Sequence, residues 1–150
     1  MSDLALGPGR EFDRIRRILA KLGPTAAGVG DDCAILPSGL GTLVVSVDLS
    51  VEEVHFRREW LSLEEIGWRA AAGALSDLAA EGAELVGLLA SVAVPRSSPE
   101  EDLLALMAGV GAAAREAGGH VLGGDLTAGD RWVIDVVVIG RTERPVTRGG

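Results

Sequence analysis

Tyrosine is missing from this chain, and phenylalanine occurs only twice, lysine once and cysteine once. The lone thiol, Cys33, excludes an intramolecular disulfide. With only His55 and His120 as imidazoles, a structural zinc centre lacks its ligands. Scarce aromatics leave the core to aliphatic side chains and to close backbone approach among 21 glycines. Basic residues are also few, 14 against 22 acidic ones, for a formal charge of −8. No basic stripe is available to displace counterions, which excludes nucleic acid as the main partner. A phosphorylated ligand stays open if cations stand between the two sets of negative charge. No apolar run reaches membrane-spanning length, and Met1 to Arg10 has no signal-peptide core. The expectation is a soluble, cytoplasmic protein with no membrane partner. Its 150 residues, 47% hydrophobic, suit one domain with its own core.

Periodicity orders the rest. Phe12, Ile15, Ile18, Leu19 and Leu22 predict a helix from about Glu11 to Lys21, stopped by Gly23-Pro24. A glycine-rich loop, Ala27 to Asp32, precedes two strand-like runs, Cys33–Leu36 and Thr42–Val47, joined at Pro37-Ser38-Gly39. Ser62 and Glu65 form a capping box for a helix that continues to about Glu81, with Gly82 as its stop. A strand is expected at Leu85–Val94. A third helix follows, with Ser98 as N-cap and Pro99 at its first position, ending near Gly118-Gly119. A short strand, His120–Leu122, leads to a loop, Gly123–Asp130. A last strand, Trp132–Arg141, places Trp132, Ile134, Val136 and Val138 on one face. The order α-β-β-α-β-α-β-β predicts an α+β fold, a mixed and largely antiparallel sheet with helices on one face.

Aspartates carry the chemical interest. Asp31 and Asp32 follow Gly28-Val29-Gly30, Asp48 ends a predicted strand, and Asp125 follows Gly123-Gly124. Glycine lets backbone approach a ligand closely, although a single glycine-flanked aspartate is more often a turn residue or cap. Asp77 continues a helical stripe of small residues, Ala70, Gly73 and Ala74. A carboxylate on such a face needs a partner, and no lysine or arginine lies three or four residues away. Hard cations such as Mg²⁺ take one or two carboxylates plus substrate phosphates. Two bare carboxylates about 4 Å apart repel by roughly 4 kcal/mol at an effective dielectric near 20, so a converging set calls for a cation. The P-loop is excluded, because Lys21 precedes Leu22-Gly23. The segment Gly109-Val110-Gly111 mimics a dinucleotide fingerprint but lies inside a predicted helix, and reads as helix packing.

These residues resemble a family. Gly28-Val29-Gly30-Asp31-Asp32-Cys33-Ala34, Ser46-Val47-Asp48 with Val54-His55-Phe56, Leu75-Ser76-Asp77-Leu78-Ala79-Ala80 and Gly123-Gly124-Asp125-Leu126-Thr127 are similar, in that order, to motifs of thiamine-monophosphate kinases; Thr147-Arg148 resembles a further element. The resemblance implies an aminoimidazole-ribonucleotide-synthetase-like N-terminal domain spanning residues 1–150, with residues 1–26 an N-terminal helix region and the family's second domain absent. It implies a homodimer paired through the sheets, and γ-phosphate transfer from ATP to thiamine monophosphate. Asp32, Asp48, Asp77 and Asp125 would then bind Mg²⁺, with Ser46 a weaker candidate. Gly124, Asp125 and Arg148 would contact ATP, and His55 the thiamine phosphate, with no protein nucleophile. Where the family has threonine this chain has Val47, Leu49 and Leu126, and where it has asparagine, Ala74, so weaker or fewer metal sites are expected. The isolated 150 residues are expected to bind Mg-ATP weakly and to turn over poorly. Two alternatives remain open: another ATP-using enzyme of the superfamily, of selenophosphate synthetase, hydrogenase-maturation or aminoimidazole ribonucleotide synthetase type, or a non-catalytic nucleotide- or metal-binding remnant.

Overall fold

The computed structural model describes residues 8–26 and 41–146. The loop Ala27 to Asp32 and the strand Cys33–Leu36 expected from the sequence lie outside the described residues. Helix α1 (Arg10–Leu22) buries Ile18 and Leu22 against α3, and a short 3-10 turn, Gly23–Thr25, follows it. Gly23 ends the helix with φ 54°, a left-handed value that favours glycine.

Strand β1 (Thr42–Val51) is longer than the sequence suggested, because antiparallel pairing with β4 continues to Val51 opposite Val133. Asp48 therefore stands within the strand and not at its end. Helix α2 (Leu63–Ala80) opens on the expected capping box: the Ser62 Oγ accepts from the Glu65 amide, and a Glu65 carboxylate oxygen accepts from the Ser62 amide. Strand β2 (Glu84–Pro95) leads to helix α3 (Glu100–Glu116). The N-cap of α3 is Pro99 with no side-chain cap, not Ser98, because the Ser98 amide closes a turn onto the Pro95 carbonyl.

The largest departure comes next. The expected short strand His120–Leu122 and loop Gly123–Asp130 form one strand, β3 (His120–Gly129), parallel to β2. Its Gly-Gly pair signals a turn to local sequence reading. In the sheet Gly124 is packed so tightly on β2 that a Cβ there would lie 1.9 Å from the Ala90 carbonyl oxygen. Strand β4 (Val133–Thr142) completes a four-stranded sheet of order β1-β4-β2-β3 among the described residues. Two of its three pairings are antiparallel and one is parallel. The fold is α+β, a mixed and largely antiparallel sheet with helices on one face.

Helices α2 and α3 cross with their backbones touching. A Cβ on Gly67 would meet the Leu106 carbonyl oxygen at 1.9 Å, and one on Gly109 the Glu64 carbonyl oxygen at 1.9 Å. Gly109-Val110-Gly111 is thus helix packing, as expected. The core lies between these helices and the sheet: Ile66, Leu103, Leu106 and Val110 meet Leu88, Val92, Ile134, Val136 and Val138, all nearly or fully buried.

Register divides the sheet into two unlike faces. Residues directly opposite one another on paired strands share a face. On the helix side the rows are Asp48–Val136–Ala90–Gly124 and Ser50–Ile134–Val92–Leu126. The other face carries Leu49–Asp135–Ser91–Asp125. On that uncovered side β1 exposes Leu43, Val45, Val47 and Leu49, with Val45 63% and Val47 61% accessible.

Candidate functional site

Strand β1 has the reverse of a core strand's alternation. Its helix-side positions are Val44, Ser46, Asp48 and Ser50, and its apolar residues face away. Helix α2 packs over β1 and β4, so the polar side of β1 meets the small-residue stripe of α2. Ala70 and Ala74 of that stripe are buried in the core, whereas Gly73 is half-buried and Asp77 exposed. Gly73 and Asp77 are one turn apart on the helix, and Ser46 and Asp48 are alternate residues on the strand.

Two contacts join these elements. The Ser46 Oγ donates to the Asp77 Oδ2 at 2.5 Å. The Asp48 Oδ2 lies 2.9 Å from where a Cβ on Gly73 would stand. The partner that the Asp77 carboxylate needs is therefore a hydroxyl from β1. Ser46, Asp48 and Asp77 form one solvent-facing patch of oxygen donors, close in sequence only within each element.

Asp125 is not part of that patch. It sits on β3, at the opposite edge of the described sheet from β1. Three inter-strand spacings separate the two edges, about 14 Å. Its row also places it on the uncovered face, with Ser91 and Asp135. Among the described residues no three His, Cys, Asp or Glu side chains gather as a metal centre. A ligand touching both Asp125 and the Asp48–Asp77 pair must reach around a sheet edge or bridge from a neighbouring chain. Gly124, beside Asp125, is exposed. Asp32 and Arg148 lie outside the described residues.

His55 occupies a tight turn after β1. Its Nδ1 accepts from the Val51 amide at 2.9 Å, and its own amide donates to the Val51 carbonyl at 2.8 Å. Glu53 adopts φ 68° there, and its amide donates to the Phe56 carbonyl. The Phe56 ring is buried beneath. Glu52 fastens the turn to β4: its amide donates to the Trp132 carbonyl, and its carboxylate accepts from the Trp132 amide, both at 2.9 Å. Because Nδ1 is an acceptor, the neutral ring carries its proton on Nε2. The exposed imidazole thus offers solvent a hydrogen-bond donor.

The sequence reading passed over two features. Gly73 entered only as one member of a small stripe. Asp135 went unremarked, although its Oδ1 is buried and has no hydrogen-bond partner among the described residues. A carboxylate in the run Val133-Ile134-Asp135-Val136-Val137 was the available signal. The positions that differ from the family pattern separate by face. Val47 and Leu49 are on the uncovered side, Ala74 is fully buried, and Leu126 packs against the core. A groove of about 530 Å³ lies between the C-terminal ends of α2 and α3, walled by Leu75, Leu78 and Leu85 with Arg141 and Glu84 also lining it. It contains none of the candidate aspartates.

Comparison with known proteins gives this geometry a context. Residues 30–142 match the family described as AIR synthase related protein, N-terminal domain. The chain is 33% identical over 147 residues to the thiamine-monophosphate kinase of Mycobacterium tuberculosis, covering 97% of this chain and 44% of that protein. It also matches a solved structure described as AaThiL complexed with AMPPCP and TMP, with TM-score 0.69 and 29% identity, over 91% of this chain and 43% of that one. The hydrogenase maturation protein HypE in complex with ATP matches with TM-score 0.71 and 25% identity, over 92% of this chain and 42% of that one. The chain therefore spans less than half the length of these relatives.

Proposed function

Since the chain belongs to the family of AIR synthase related N-terminal domains, we propose that it is the Mg²⁺- and ATP-binding half of an enzyme that transfers the γ-phosphate of ATP to thiamine monophosphate, giving thiamine diphosphate. Residues 1–150 form the N-terminal domain in this reading, and residues 1–26 its leading helix region. The names of the curated relatives support the activity, as do the AMPPCP and TMP held by the solved relative. The observation that supports the reading is the pair of contacts between β1 and α2: the Ser46 hydroxyl bonds the Asp77 carboxylate, and the Asp48 carboxylate lies at Gly73, one helical turn from Asp77.

Two carboxylates and a hydroxyl open to solvent fit Mg²⁺, which keeps several waters and takes its remaining oxygens from phosphates. Asp48, Asp77 and Ser46 would hold it, with Asp32, and Asp125 would meet metal or triphosphate from its own strand. Bound Mg²⁺ neutralises charge on the transferring phosphoryl group. The chain's own task is orientation. Gly124, with no side chain, and Arg148 would contact the nucleotide, and His55 would offer its Nε2–H to a phosphate oxygen of the acceptor. No side chain acts as nucleophile, so rate comes from holding the two phosphates in line.

A homodimer belongs to the same proposal. Leu43, Val45, Val47 and Leu49 leave an apolar strip uncovered, and each is about half exposed. Covering them contributes roughly 1 kcal/mol each, by area. A second copy laid on this face supplies that cover.

A second reading keeps ATP and changes the acceptor, favoured by the likeness to the ATP-bound HypE. Titration calorimetry tests what both share: ATP binds only when Mg²⁺ is present, and Asp48→Asn weakens that binding by roughly tenfold, equivalent to about 1.4 kcal/mol. No heat with Mg-ATP would leave a non-catalytic remnant as the answer. Comparing ATP consumption with thiamine monophosphate and with other acceptors, in a chain that carries a second domain, separates the two enzymes.

A further inference from the structure

Glycine inside a helix is destabilising relative to alanine, so each one needs a reason. For Gly67 and Gly109 the reason is backbone: a Cβ on either would collide with a carbonyl oxygen of the facing helix. For Gly111 it is core packing, against Leu22. Gly73 differs from all three. Among the described residues, the one atom of another element within 4 Å of its absent Cβ is the Asp48 Oδ2, the far end of a flexible, exposed side chain on β1. Among the described residues, nothing else packed on α2 requires glycine there. A methyl group at that point would be accommodated by turning the aspartate away, at little expense to the fold.

The structure assigns Gly73 a positioning role: by having no side chain it leaves the space in which the Asp48 carboxylate lies along α2, one helical turn from Asp77. This rests on the cation reading given above and adds to it the residue that sets the spacing of the two carboxylates. The argument is geometric. Asp48 and Asp77 come from different elements, and each is free to rotate about its own side-chain bonds. Ser46 tethers Asp77 through its hydroxyl. Asp48 has the notch at Gly73. Metal-binding groups work only when held close to productive geometry, and groups that orient a ligand typically change metal affinity by about 10–100-fold when removed.

The test compares Gly73→Ala with Gly67→Ala in the full 150-residue chain. Gly73→Ala is expected to melt at or above the wild-type temperature while its affinity for Mg²⁺ alone, read by calorimetry, falls about tenfold. Gly67→Ala is expected to lower the melting temperature markedly. An unchanged Mg²⁺ affinity in Gly73→Ala overturns the proposal, as does a loss of thermal stability comparable with that of Gly67→Ala. If the wild-type chain takes up no Mg²⁺, the cation reading fails by itself, and the metal-free crystal structure of Gly73→Ala decides the remainder. An Asp48 carboxylate swung away from α2 supports the role of Gly73, and an unmoved one refutes it.

Discussion

Strands β1 and β4 are neighbours, pair over ten residues and alternate with equal regularity, yet they are built the opposite way round. β4 turns Ile134, Val136 and Val138 under the helices, where all are fully buried. β1 turns Ser46, Asp48 and Ser50 to that side and shows Val45, Val47 and Leu49 to the uncovered one. A one-residue shift of register exchanges the faces of a strand, so this arrangement reflects pairing and not composition. β4 serves the core. β1 gives its polar side to the carboxylate patch and leaves its apolar side exposed, the side on which the proposed second copy would rest.

Substitutions sharpen that contrast, beginning with the largest effect. Ile134→Ala removes a fully buried side chain beneath the helices and is expected to cost about 2–5 kcal/mol, read by chemical denaturation. The next residue along points the other way and has the opposite sign. Asp135→Val removes a buried carboxylate oxygen that has no partner, and should leave stability unchanged or raise it by up to about 1 kcal/mol. Equal losses at both positions would break the two-face description. Val47→Lys places a charge on the uncovered strip of β1. Its effect on the folded chain should stay within about 0.5 kcal/mol, while sedimentation shows loss of self-association. A monomeric wild type, or a dimer indifferent to Val47→Lys, removes the partner role from this face.

Much of the fold could be read from local chemistry. The Ser62–Glu65 box and the Trp132, Ile134, Val136, Val138 alternation each report contacts within a few residues, and both are present. β3 was misread because Gly123-Gly124-Asp125 carries the same local signals as a turn. Only pairing with β2, more than thirty residues away, makes it a strand. The length of β1 was missed for the same reason, its last residues being held by β4. The candidate site divides similarly. That Asp48 and Asp77 were worth attention followed from residue type and neighbours. That they lie on facing sides of β1 and α2 depends on α2 packing over β1, and that Asp125 stands apart depends on the strand order β1-β4-β2-β3. Neither is written in any single segment. Gly73 is the extreme case, because its significance appears only once another element's side chain is seen lying against it.

The turn bearing His55 is closed before any ligand arrives. Its backbone is pinned to Val51 and Phe56, and Glu52 grips Trp132 from both its amide and its carboxylate. Immobilising a loose side chain on binding costs about 0.5–1.5 kcal/mol, and here that entropy was already surrendered during folding. In the role proposed for His55, an anion docking at the imidazole would meet a pre-formed cradle, and its grip would depend on charge and distance rather than on any rearrangement of the loop.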